Sequence, residues 1–141
     1  MKILDGGNVC SAKGFQASGL NCGVKVGDKD LALVYSEAEA SGAAVYTKNK
    51  VQAAPIQVCR EYLADGRVRA VVLNSGNANA CTGDEGLANA RRMCEITAGR
   101  LGVDTGDVLV CSTGVIGVQL PIGLIEEGIP RGAEALSGNG G

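Results

Sequence analysis

Histidine and tryptophan are both absent from the chain. Without an imidazole, its own residues cannot build a Ser-His-Asp or Cys-His catalytic set. Aromatic residues make up only 3%, so a core must be assembled from Val, Leu, Ile and Ala. No apolar run approaches the roughly 20 residues that a membrane-spanning helix needs. The opening Met-Lys-Ile-Leu-Asp-Gly-Gly lacks the apolar stretch of a signal peptide. The expectation is a soluble, cytoplasmic chain. Net charge is −2 and the basic residues are scattered, Arg91, Arg92 and Arg100 being the nearest thing to a cluster. Nucleic acid is not the expected partner. Six cysteines stand at 10, 22, 59, 81, 94 and 111, and no two have a CxxC spacing. That pattern does not read as a zinc site, and reduced, packed thiols are expected.

What is present points to one mixed domain. A length of 141 residues suits a single core. With 22 glycines the chain is too rich in turns for a helix bundle. Residues 8–49 read as β-rich: Phe15 to Gly19, Gly23 to Val26, Asp30 to Ser36 and Ala43 to Thr47 are the candidate strands. A helix is expected from Pro55 to Leu63, with Ile56, Cys59 and Leu63 on one face and Asp65-Gly66 as its stop. Arg69 to Asn74 reads as a strand buried on both faces. A long helix follows from Asp84 to Leu101, carrying Leu87, Ala90, Cys94, Ala98 and Leu101 at helical spacing. Thr82 and Glu85 have the spacing of a capping box. Val108 to Cys111 is the next strand and Pro121 to Glu127 a short helix. The organisation expected is one α/β (α+β) domain over residues 1–136, a mixed sheet with packed helices, followed by a Gly-rich, unstructured tail at 137–141.

Two stretches carry possible chemistry. Asn74 to Gly83 holds three Asn between a buried strand and a helix start. It is either an anion site at a helix N-terminus or a loop whose side chains satisfy its own backbone. Val108-Leu-Val-Cys-Ser-Thr-Gly-Val-Ile-Gly117 is a strand that stops at a hydroxyl and a glycine. Thr113 and Gly114 can offer one hydroxyl and one backbone N–H to a developing negative charge, or form a plain strand-to-loop turn. Cys81 lies beside a helix N-terminus, which lowers a thiol pKa, and Cys111 beside the Thr-Gly turn; either is a candidate nucleophile, but with no base in the chain both read as inert thiols. Asp84 and Glu85 are either an acid and base pair or, in the first turn of a helix, a complement to its dipole, the reading preferred. Lys48 and Lys50 can bind a substrate carboxylate, but read first as solvated surface.

Both stretches, with Leu120-Pro121 and Gly128-Ile129, resemble the ornithine acetyltransferase (glutamate N-acetyltransferase) family of arginine biosynthesis. Asp30-Leu-Ala-Leu, Ala53-Ala-Pro55 and Ala133-Glu-Ala-Leu-Ser137 fit as well, so the similarity runs from about Gly14 to Ser137. The resemblance implies a layered α/β/β/α fold and a precursor that cuts itself before a Thr. It implies an α subunit and a β subunit, whose N-terminal Thr carries acetyl from N-acetylornithine to glutamate. No cofactor or metal is implied, acetyl-CoA being a possible alternative donor. Thr113 and Gly114 take the position of the family's oxyanion hole. The nucleophile is not among these 141 residues, so the chain is expected to be an α-subunit portion in an αβ hetero-oligomer, inactive alone. The alternatives are an inactive fragment and a stand-alone module that holds a small anion over Gly83 to Glu85.

Overall fold

The computed structural model of the chain describes Ile3 and residues 5–140. Its elements, in chain order, are β1 (Phe15–Leu20), β2 (Leu31–Ser41), α1 (Ala54–Tyr62), β3 (Arg67–Asn77), α2 (Gly83–Leu101), β4 (Val108–Val115) and α3 (Ile122–Glu134). The four strands form one sheet in the order β1-β2-β3-β4. The first two pairings are antiparallel and β3–β4 is parallel. A parallel pair needs a crossover of a dozen residues or more, and α2 supplies it. The expected mixed sheet with packed helices is what the chain forms. Among the described residues no helix is long and apolar enough to cross a membrane.

Strand alternation divides the sheet into two unlike faces. Leu31, Leu33, Ala70, Val72, Val108 and Val110 are essentially fully buried on one face. Against them pack Val58 and Cys59 of α1, Met93 and Cys94 of α2, and Ile125 and Ile129 of α3. Helices α1 and α2 lie over β4, α3 lies over β1 and β2, and the helices touch in the order α1-α2-α3. The other face presents Ala32, Val34, Val71, Leu73 and Leu109, each only half-buried, and Cys111, which is exposed. The expectation that β3 is buried on both faces is therefore corrected: Ala70, Val72 and Asn74 are covered, and Val71 and Leu73 are not.

Other departures have local causes. Gly23 to Val26 is not a strand, because Asp30 folds that segment into a loop. Its carboxylate, in a residue only 3% exposed, accepts the backbone N–H of Cys22 (2.7 Å), Lys25 (2.8 Å) and Gly23 (3.2 Å). Ala43 to Thr47 has β-forming residues but pairs with no strand, and Tyr46 instead sits under Arg60, 5.0 Å from its ring centre. Helix α3 runs on to Glu134, through Gly128 and Pro130. A Cβ at Gly128 would lie 2.6 Å from Cys22 Cβ and 2.8 Å from Leu31 Cδ2, so the glycine lets the helix lie close on the sheet. The tail is not wholly unstructured, since Ser137 exchanges two backbone hydrogen bonds with Ala17 at the outer edge of β1.

Asp30 also joins the loop to the sheet: its N–H donates to Leu20 O (3.0 Å) and its C=O accepts from Ser75 N (2.8 Å). Burial works against the charged carboxyl. The N–H groups of Cys22, Lys25 and Gly23 outweigh it and hold the group below the usual carboxylate range. A lowered folded-state pKa contributes stability above the ordinary value near ~3.9 and loses it as pH falls through the folded value. Asp30→Asn turns an amide toward N–H donors, and should cost about 1.5–3 kcal/mol at pH 7. The gap from wild type should narrow below pH ~4. Urea unfolding across pH 2.5–7 reads this out, and a gap independent of pH contradicts it.

Candidate active site

The parallel pairing of β3 and β4 brings the two chemistry-bearing stretches together. Asn74 lies against Ser112, Ser75 against Thr113, and Gly76 against Gly114. Both strands run in the same direction, so both end at the same rim of the sheet.

At that rim the backbones are in close contact. Gly114 has φ +136°, and a Cβ there would lie 2.3 Å from the Gly76 carbonyl carbon and 2.5 Å from Asn77 N. Gly76 has φ +98°, and its own Cβ would lie 2.8 Å from Lys25 Cγ and 3.0 Å from Val24 Cγ1. Each glycine leaves room for a neighbouring segment where any side chain would push it away. The loop folded by Asp30 thus buttresses Gly76, and the Gly76–Asn77 peptide buttresses Gly114.

Thr113 shares its strand parity with Leu109 and Cys111, so it belongs to the helix-free face. Thr113 and Gly114 are both exposed. Thr113 lines a cavity of about 340 Å³ on that face, with Gly19, Ala32, Leu73, Ser75 and Cys111 among the other walls. Thr113 therefore lines a mostly apolar concavity, with Gly114 the next residue along the strand. Charge developing in such a place is poorly solvated and gains most from fixed donors.

The Asn-rich loop does structural work. Asn74 Nδ2 donates to Asn77 O (2.9 Å), and Asn79 Nδ2 donates to Gly86 O (2.8 Å). Asn79 N donates to Asn77 Oδ1 (2.8 Å), with Asn79 itself at φ +46°. The capping box does not form: Thr82 makes no side-chain cap bond, and its Oγ1 donates to Asn79 Oδ1 (2.8 Å). Cys81 is exposed in the same loop at φ +57°. Lys50, Gln52, Cys81, Thr82 and Gly83 line a separate polar cavity of about 540 Å³ beside the start of α2, and the Asp84 carboxylate stands among them.

Cys111 and Lys29 line the same cavity as Thr113. Although the residue is open to solvent on one side, desolvation by its neighbours raises the Cys111 thiol from its ordinary value, which makes it a poor nucleophile. Burial raises Cys59 and Cys94 as well, and takes Cys22, with Asp30 beside it, to about 11. Arg91 forms a two-pronged pair with Glu61 (2.8 and 3.0 Å), and Arg92 meets Glu126 (2.6 Å). Among the described residues no group of three or more His, Cys, Asp or Glu is placed to hold a metal ion. Two features went unread in the sequence. Asn77 and Gly76 pack against the Thr113-Gly114 turn, and this follows only from the β3–β4 register. The sole sequence signal was that both strands are apolar and both end in small polar residues.

Residues 16–139 match the ArgJ family. The chain is 50% identical over its whole length to the arginine biosynthesis bifunctional protein ArgJ of Caldanaerobacter subterraneus, of which it spans 35%. It is 53% identical over 85% of its length to the ArgJ of Geobacter sulfurreducens, spanning 31% of that protein. It thus spans about a third of the length of the curated relatives it matches. Among solved structures it superposes on the Bacillus halodurans ArgJ with a TM-score of 0.89 at 46% identity, covering 94% of this chain and 74% of that one. It superposes on an ornithine acetyltransferase of Mycobacterium tuberculosis, solved with ornithine, with a TM-score of 0.91 at 39% identity, covering 96% of this chain and 74% of that one. With residues 16–139 matched by the family model and its whole length aligned to a relative at 50% identity, the chain belongs to the ArgJ family.

Proposed function

We propose that this chain supplies the charge-stabilising half of an acetyltransferase site that moves acetyl from N-acetylornithine to glutamate. The observation that carries the reading is the placement of Thr113 and Gly114. A hydroxyl and an N–H stand at the rim of the helix-free face, backed by the Gly76–Asn77 peptide. In this reading a threonine hydroxyl on a second chain attacks the acetyl carbonyl of N-acetylornithine, and the carbonyl oxygen takes up the negative charge. Thr113 Oγ1–H and the Gly114 N–H donate to that oxygen. The amide C–N bond then breaks, the ornithine nitrogen leaves with the proton taken from the threonine, and an acetyl ester remains. The amine of glutamate attacks the ester and restores the hydroxyl. The threonine's own N-terminal amine is the base available for the proton. No organic cofactor or metal enters, with acetyl-CoA as an alternative donor, and the setting is the cytoplasm.

Two observations support a second chain, the β subunit, as the partner. The matched solved chains are filled to 74% by this chain, whereas the curated relatives are filled only to about a third. Those solved chains are therefore less than half as long as the complete proteins, as expected if the enzyme is divided in two. The face that carries Thr113 is also lined by half-buried Ala32, Val34, Val71, Leu73 and Leu109. A partner sheet or strand set laid on that face would cover them and bring its threonine to the rim.

In a complete enzyme carrying these residues, Thr113→Ala should lower kcat by about 10²–10³-fold. Because Thr113 is exposed and holds no core contact, its melting temperature should barely move. Turnover equal to wild type contradicts the role. The purified 141-residue chain should show no exchange of acetyl between N-acetylornithine and glutamate, and isotope exchange above the uncatalysed rate contradicts the division of labour.

A further inference from the structure

We propose that Asn77 is a positioning residue that holds the Thr113–Gly114 donors in place, a role that rests on the oxyanion reading above.

Backbone donors work only if they stand where the charge will form, within about half an ångström. Beyond the end of the β3–β4 ladder, the segment that follows them has little to hold it. Residues 113–119 are exposed throughout, Gly114 and Gly117 both have positive φ, and no helix or strand covers 116–121. A free loop of this composition would sample many conformations.

Asn77 is the opposite, buried to 4% exposure. In the ladder it lies against both Thr113 and Val115, where the register slips by a residue. Its Nδ2 donates to Val118 O (3.0 Å) and Gln119 O (3.2 Å), on the far side of the turn. One side chain therefore grips the segment four to five residues beyond Gly114, while its backbone holds the near side. The grip is itself anchored: Asn77 Oδ1 accepts Asn79 N (2.8 Å), and Asn77 O accepts Asn74 Nδ2 (2.9 Å). Three further bonds run between the same two segments. Ala78 N donates to Val115 O (2.9 Å), Gly117 N to Ala80 O (2.9 Å) and Gln119 Nε2 to Thr82 O (3.0 Å).

The position demands asparagine. It needs two donors for two carbonyls and one acceptor for an amide, in a short planar group. Aspartate matches the shape and keeps the acceptor, but faces the Val118 and Gln119 carbonyls with an oxygen. Alanine removes the grip and also strands the buried Asn79 N–H, at a cost in stability that the aspartate variant avoids because it keeps the acceptor.

The test uses the complete enzyme carrying this sequence, with Asn77→Ala, Asn77→Asp, Thr113→Ala and the double variant Asn77→Ala/Thr113→Ala. Displaced donors should lower kcat about 10- to 100-fold in each Asn77 variant, with KM for N-acetylornithine within about twofold of wild type. Because Asn77 acts through the turn, adding Asn77→Ala to Thr113→Ala should slow the enzyme by far less than it slows the wild type. Hydrogen exchange at residues 113–118 should rise, and that at 70–73 should not. Should the alanine variant not fold, the same comparison is made with the aspartate variant, which has the same size. Wild-type kcat in the Asn77 variants, a loss confined to KM, or full multiplication of the two effects overturns the proposal. If Thr113→Ala alone leaves kcat unchanged, the oxyanion reading falls first and the role of Asn77 with it.

Discussion

The contact on which the rest depends is the one between Gly114 and the Gly76–Asn77 peptide. Two backbones approach so closely that a single methyl group on Gly114 would overlap three main-chain atoms. This closeness requires β3 and β4 to be adjacent and parallel, which requires α2 as the crossover. It also requires Gly76 to be supported from its other side, which the Asp30-folded loop does through Val24 and Lys25. The long helix, the buried carboxylate and the asparagine loop all bear on one point, the backbone of the turn at Gly114. Preorganisation of this kind is what separates a charge-stabilising site from a loop that happens to contain donors.

The sheet's two faces divide the labour. The helix-covered face supplies stability through aliphatic and thiol packing, since the chain has almost no aromatic side chains to contribute. The helix-free face has small or β-branched residues at half exposure, and carries Thr113 at its rim. A face of that kind is unusual on a lone domain. The proposal that a second chain covers it accounts for the apolar lining and for the missing nucleophile together.

Much of this was legible in the residues. The apolar runs at 69–74 and 108–111 specify strands, and the three- and four-residue spacing from Leu87 to Leu101 specifies α2. What escaped was whatever depends on distant partners. Glu37 to Ser41 carries no apolar pattern, yet extends β2 because Arg67 and Val68 pair with it and Arg67 reaches Glu39. The last helix is expected to end at Glu127, yet α3 continues through Gly128 and Pro130 to Glu134, the glycine allowing close packing on Cys22 and Leu31. Ala43 to Thr47 reads as a strand by propensity, and propensity alone does not make one. Val71 and Leu73 read as buried on both faces because a run of apolar residues does not say which layer covers it. Thr113 and Gly114 were visible as a reactive-looking turn. The buttress behind them was not, because it joins residues some 40 positions apart.

The most direct measurement is the structure of the complete enzyme trapped as its acetyl ester, or with a tetrahedral mimic bound. The account predicts that the acetyl oxygen accepts hydrogen bonds from both Thr113 Oγ1 and Gly114 N, at about 2.7–3.1 Å. It also predicts that Asn77 still holds Val118 and Gln119. An acetyl oxygen directed away from both donors, or stabilised by groups of the second chain alone, would contradict it.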